Sequence, residues 1–132
     1  MRKRFSIGAR LKSIGYAARG FRELLLHEPN AWIHVVLTMF ALDLAWWLRI
    51  NRTDFALVVI SIVFVWVAEA FNTVLEIMAD LVVSRERYSR MIKRAKDISA
   101  GAVLIASVGA LLTGIIMLGP PLYERLGPFW AN

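Results

Sequence analysis

The sequence predicts an all-α membrane protein in which an amino-terminal interfacial amphipathic helix precedes three transmembrane helices. Three observations lead there. Apolar residues make up 58% of the 132-residue chain and the mean hydropathy is +0.57, more than a soluble domain of this size needs to build a core. The surplus has to face lipid. Residues 31–48, 55–83 and 98–118 form three apolar stretches, each close to or above the roughly 20 residues that cross a hydrocarbon core. The cations flank these stretches and are not spread along one soluble face. Residues 1–132 read as a single domain, with an arm over 1–28 and a short extracytoplasmic tail over 119–132.

In the arm, Phe5, Ile7, Leu11, Ile14, Phe21, Leu24 and Leu25 recur near helical spacing among Arg and Lys. That pattern suits a helix lying in the membrane interface. No removable signal is expected, because the first strongly apolar run starts only near Ala31. Pro29 marks a bend into span one, since the residue before a proline avoids the helical region. Gly119-Pro120-Pro121 is expected to end span three. Trp46, Trp47 and Trp130 then fall at the outer boundary, where amphipathic rings prefer to sit.

Loop charges set the orientation, because Lys and Arg accumulate in segments that stay cytoplasmic. Arg2, Lys3, Arg4, Arg10, Lys12, Arg19 and Arg22 precede span one, and Arg85, Arg87, Arg90, Lys93, Arg94 and Lys96 follow span two. The turn between spans one and two carries only Arg49 and Arg52, and the tail only Arg125. The amino terminus is therefore expected inside and the carboxyl terminus outside. The net charge of +6, distributed this way, points to anionic headgroups or nucleotide phosphates and not to nucleic acid. Cysteine is absent, which excludes a disulfide framework, a thiolate metal site and a cysteine nucleophile.

Chemistry concentrates in the second half of span two. Glu69, Asn72, Glu76 and Asp80 are spaced by 3, 4 and 4 residues, which at roughly 100° per residue keeps all four on one helical face. With this topology the strip lies at the depth of Glu28, before span one, and of Lys96-Asp97, before span three. Clustered carboxylates repel unless a cation or shared protons offset them, and Mg²⁺ with oxygen ligands does so well. Magnesium in turn suggests bound phosphates. Phosphoryl transfer to an alcohol needs a carboxylate to take the hydroxyl proton, a metal on the phosphates and basic groups on the nucleotide. All these types are present.

The run Glu69-Ala70-Phe71-Asn72-Thr73-Val74-Leu75-Glu76, then Asp80, then Ala95-Lys96-Asp97-Ile98-Ser99-Ala100-Gly101-Ala102-Val103-Leu104 closely resembles the prokaryotic diacylglycerol kinase and undecaprenol kinase family. The resemblance extends from about Gly15-Tyr16 and Arg19-Gly20 through Glu28 into span three. It implies an ATP- and Mg²⁺-dependent lipid kinase of the bacterial inner membrane, a homotrimer with active sites shared between chains. It further implies Glu69 as proton acceptor, Asn72 as its support, and Glu28 and Glu76 as ligands of the metal on the ATP phosphates. Tyr16, Lys96 and Asp97 match positions associated with nucleotide binding, and Asp80 continues that face. Ala9 departs from the pattern where some members carry an ATP-holding arginine; Arg10 stands beside it. Asn30-Ala31-Trp32-Ile33-His34 resembles the undecaprenol kinase branch more than the diacylglycerol kinase branch, so the resemblance favours undecaprenol over diacylglycerol.

Structural readings stand beside these. The strip also suits an interhelical hydrogen-bond seam, Glu28 a solvated charge at a helix start, and Lys96-Asp97 a positive-inside anchor with a cap. His27 and His34 have no metal-ligand spacing and read as interfacial or packed. Asp43 reads as an intersubunit or water-facing group, and Ser99, Gly101, Ala102, Ala106, Ser107, Gly109 and Ala110 as a close-approach face. A proton or cation pathway would need polar groups across the whole bilayer. Beyond Trp66, residues 55–67 offer only Ser61. A scaffold would assemble without binding nucleotide.

Overall fold

In a hydrocarbon core every backbone polar group must be satisfied within the protein, so an apolar chain of this length has to fold into helices. The computed structural model describes residues 6–83 and 90–130. Among these it contains four helices and no strand: α1 (Ile7–His27), α2 (Pro29–Leu48), α3 (Arg52–Val83) and α4 (Arg90–Trp130). The last three are long and apolar enough to cross a membrane. Arg2, Lys3, Arg4, Phe5, Arg85 and Arg87 lie outside the described residues, as do the side chains of Ala9 and Trp130.

The α1–α2 bend sits where Pro29 requires it. Glu28 is extended, with φ −104° and ψ 111°, and Pro29 opens α2, where its missing N–H costs no hydrogen bond and its fixed φ is already helical. At the other end Arg49 takes a left-handed conformation, φ 53° and ψ 42°. Two backbone bonds close that turn, Arg49 N–H to Trp46 O at 3.1 Å and Ile50 N–H to Ala45 O at 3.4 Å. Asn51 then starts α3: its Oδ1 accepts from the Asp54 N–H at 3.0 Å and its Nδ2 donates to Asp54 Oδ2 at 2.7 Å.

Two boundaries differ from expectation. The third spanning helix does not wait for the apolar stretch at 98–118, because α4 already begins at Arg90. A helix leaving the bilayer keeps its backbone bonded, and nothing in these flanking sequences breaks it. Nor does Gly119-Pro120-Pro121 end a helix: Pro120, Pro121 and Pro128 all lie inside α4. The missing proline N–H groups break single rungs of the ladder. Met117, Leu118 and Leu122, on both sides of the pair, pack into the apolar cluster of Ala45, Leu48 and Val58 and hold the axis. That cluster lies at the α2–α3 turn and closes one end of the bundle.

The broadest helix contact is between α3 and α4, with α2 against both and α1 against α2 and α3. Large apolar side chains such as Val36, Phe40, Phe64, Phe71, Ile105 and Ile116 are exposed on the outside of this bundle, as membrane-facing or subunit-facing surfaces require. A Cβ added at Gly101 or Gly109 would meet no heavy atom within 4 Å. Those two glycines therefore do not bring helices of the same chain together.

The Asn51 cap predicts a local, function-neutral effect. Asn51→Ala should cost about 1 kcal/mol, the usual worth of such a cap, seen as a lower denaturation midpoint in detergent, with activity per folded molecule unchanged.

Candidate functional site

The polar groups gather at the opposite end from the apolar cluster. Glu69, Asn72, Glu76 and Asp80 all lie on α3, and the sequence spacing does place partners on one side. Asn72 Nδ2 donates to Glu76 Oε1 at 3.0 Å, an i, i+4 contact of the kind helical geometry provides. Asn72 Oδ1 accepts from Ser99 Oγ of α4 at 2.7 Å, and Ser99 Oγ also lies 2.9 Å from its own helix's Lys96 O. Two turns further along α3, Lys96 Nζ donates to Asp80 Oδ1 at 2.9 Å. Two polar rungs thus join α3 to α4.

Glu69 is the most deeply buried of the set, 1% exposed. Its Oε2 faces His34 Nε2 of α2 at 3.6 Å, while Oε1 is buried with no hydrogen-bond partner among the described residues. An unpartnered acceptor in such surroundings is costly. His34 packs edge-on to Trp66, with centroids 5.9 Å apart. Trp66 Nε1 donates to Thr38 Oγ1 at 3.1 Å, and the Phe21 ring of α1 lies 5.4 Å from Trp66.

Glu28, at the α1–α2 bend, is half-buried. Its carboxyl is pushed above the ordinary carboxylate range, first by burial, then by the charges of Glu76 and Glu69, with His27 pulling weakly the other way. Glu28, Glu69 and Glu76 therefore share one electrostatic neighbourhood although they come from different segments. A cavity of about 650 Å³ adjoins it between α1 and α3, lined among others by Gly20, Phe21, Glu28, Ala70 and Thr73. A second, apolar cavity of about 430 Å³ runs along α2, α3 and α4, with His34 and Thr38 among its lining residues. Glu69 itself lines neither cavity, and His34, which it faces, lines the apolar one.

Two expected residues are not drawn in. Tyr16 is 64% exposed and contacts Arg19, whose guanidinium lies 4.9 Å from the ring centroid. Asp97 is exposed while its neighbour Lys96 turns to Asp80. Because α4 starts at Arg90, the Lys96-Asp97 pair lies well inside a helix and does not cap one. Glu28 makes no side-chain cap bond to α2. Asp43 is exposed. His27 pairs with Glu23 at 3.1 Å on the surface of α1. Sequence reasoning left two contributors out of the site. Ser99 looked like one small residue among many, and His34 carried no spacing that tied it to Glu69.

Comparison with known proteins identifies the family. The profile of the family described as "Prokaryotic diacylglycerol kinase" matches residues 15–118. A diacylglycerol kinase from Escherichia coli K12 is 31% identical over 108 residues, covering 82% of this chain and 87% of that protein. A diacylglycerol kinase from Synechocystis is 33% identical over 116 residues, covering 88% and 66% respectively. An undecaprenol kinase from Bacillus subtilis is 26% identical over 111 residues, covering 84% and 89%. The match spans α1 from Gly15 to Leu118 of α4 and includes every polar residue of the site, so the chain belongs to the prokaryotic diacylglycerol kinase family.

Proposed function

We propose that the chain transfers the terminal phosphate of ATP to undecaprenol at the cytoplasmic face of a bacterial inner membrane, with Glu69 as proton acceptor. Family membership carries the coarser statement: the protein is a membrane lipid kinase, a phosphotransferase that uses ATP. The observation that supports the finer one is the burial of Glu69 on α3, with one carboxylate oxygen unpartnered among the described residues.

In this reading the lipid hydroxyl approaches Glu69 Oε1, the oxygen that has no partner. The hydroxyl O–H bond breaks and its proton passes to Oε1. The lipid oxygen forms a bond to the terminal phosphorus while the bond from that phosphorus to the ADP oxygen breaks. Asn72, tied to Ser99 and Glu76, keeps the two carboxylates of α3 in register. Lys96 with Asp80, Asp97 and Tyr16 would serve the nucleotide, with Arg10 as the basic group nearest Ala9.

Mg²⁺ fits the donors present, which are carboxylate oxygens only. Among the described residues no three His, Cys, Asp or Glu side chains form a cage, and Mg²⁺ is typically held by one or two carboxylates with phosphate oxygens completing its shell. Glu28 and Glu76 would hold it, and their mutual repulsion is the charge it relieves. When bound, the ion neutralises charge on the transferring phosphate.

The distance along α3 supports the assignment of depth. Glu69 is 17 residues beyond Arg52, about 26 Å at 1.5 Å per residue, in a hydrocarbon layer about 30 Å thick. With the α2–α3 turn outside, the carboxylates reach the inner boundary. The cation-rich arm and the α3–α4 connection then lie inside, with α1 in the interface. A homotrimer would cover part of the exposed apolar surface and the open faces at Gly101 and Gly109.

For the lipid, Asn30 to His34 supports undecaprenol, and His34 stands next to Glu69. Diacylglycerol is the second reading, favoured by the names of the relatives from Escherichia coli and Synechocystis. Competition between the two alcohols in mixed micelles with MgATP decides: undecaprenol should be phosphorylated with the higher kcat/KM, and the reverse order selects diacylglycerol. Glu69→Gln should lower kcat by roughly 10²–10⁴, the range for losing a general base, with ATP still bound. Full turnover by this variant would remove Glu69 from the chemistry. Glu28→Gln and Glu76→Gln should each raise the Mg²⁺ concentration for half-maximal rate by roughly tenfold or more, since a charged contact is worth about 1.5–3 kcal/mol. Asn51→Ala, at the far end of the bundle, serves as the control and should leave that concentration unchanged.

A further inference from the structure

The two oxygens of Glu69 have different surroundings, and the difference originates in one residue of α2. Oε2 is 3.6 Å from His34 Nε2, in a pair whose side chains are 12% and 2% exposed for His34 and Glu69. Oε1 has no partner among the described residues. His34 is itself fixed from behind. Its ring meets Trp66 edge-on, at 64° between planes. The Trp66 indole is anchored by its bond to Thr38, one turn further along α2, and is backed by Phe21 of α1. The ring stack behind the imidazole thus draws on α3 and, through Phe21, on α1.

A proton acceptor in an apolar bundle has two requirements that conflict. Its carboxylate must be held in one orientation, because displacement of a catalytic group by an ångström can cost roughly 10²-fold in rate. Yet hydrogen bonds to its charged form lower its basicity. A partner on one oxygen alone meets both needs. We propose that His34 is a positioning residue that holds Glu69 through Oε2 and leaves Oε1 free to receive the hydroxyl proton. His34 touches no reacting atom and acts only through Glu69. The 3.6 Å separation is longer than a hydrogen bond and is of the kind that tightens when substrate assembles the site. This rests on the reading of Glu69 as proton acceptor.

The test compares His34→Leu, His34→Gln and Glu69→Gln in the full-length protein, with kcat, KM for ATP and denaturation midpoint measured on each. His34→Leu should lower kcat by roughly 10- to 100-fold while KM for ATP stays within about twofold. His34→Gln, which keeps a side-chain N–H, should recover most of that loss. In the Glu69→Gln background His34→Leu should change the residual rate by less than about twofold, because the two act as one unit. Wild-type kcat in His34→Leu, or equal losses in the Leu and Gln variants, would overturn the proposal. Should His34→Leu fail to fold, Trp66→Phe decides. It keeps the ring edge but loses its anchor to Thr38, so it should lower kcat modestly without raising KM for ATP, and unchanged kcat sinks the idea. Full activity in Glu69→Gln would instead fault the proton-acceptor reading, whatever His34 does.

Discussion

Placing an ionisable side chain inside a membrane-spanning helix costs about 2.5–3.5 kcal/mol by insertion scales and more by others, and this cost organises the polar end of the molecule. Glu69 is the largest fully buried side chain among the described residues. It lies among apolar helices, yet it is not neutral filler, because one oxygen faces His34 and the other faces no partner. Its neighbours on α3 divide the burden. Asn72 bonds to both Glu76 and Ser99, and Asp80 is neutralised by Lys96. From Glu69 back along α3 to Val58, Trp66 and Ser61 are the only polar side chains, and the Ala45, Leu48, Val58 and Leu118 cluster closes that end. A bundle polar at one end and dry at the other results from confining charge to the depth where it can be hydrated or paired.

Much of the fold was legible because its signals are local. The length of apolar runs, Pro29 before α2 and the polarity of residues 49–52 are each properties of a few adjacent residues, and the helices begin or end where these lie. The failures came from rules that are also local but were overruled by packing. Pro120 and Pro121 read as a stop, and they would be one in an isolated helix, where each costs about 3 kcal/mol. Met117, Leu118 and Leu122 are held by α2 and α3 across that point, a long-range contact that no window of sequence contains. The basic residues from Arg90 to Lys96 read as preceding span three because charge suggests solvent, whereas they open α4, since charged residues form helix readily once a helix is already nucleated.

The site was legible to a different degree on each helix. On α3 the 3-4-4 spacing alone predicts a common face, and the Asn72 to Glu76 bond follows from it. Nothing in that spacing reveals which residues of α2 and α4 meet the face. Ser99 bonds to Asn72 across 27 positions, and His34 meets Glu69 across a similar separation. Both needed the register of one helix against another, which depends on many small packing terms. The extended Glu28 shows the intermediate case. Its bend was predictable from Pro29, but its electrostatic link to Glu76 and Glu69 exists only because the bend turns it back toward α3.

The same distribution of polarity separates the candidate activities. A conduction path needs acceptors or waters from one face to the other, and over residues 55–67 of α3 the single hydroxyl, Ser61, already donates to its own helix at Val58 O at 2.8 Å. A scaffold has no need for a buried carboxylate oxygen without a partner, since a neutral amide would join helices at lower cost. Phosphoryl transfer between a soluble nucleotide and a membrane alcohol has such a need. The two substrates arrive from phases of opposite polarity, and the residue that takes the proton must stand where those phases meet. His34, which faces Glu69, lines the apolar cavity, and Glu28 lines the cavity under α1, so under the proposed function the buried carboxylate would have a chemical use that offsets its cost.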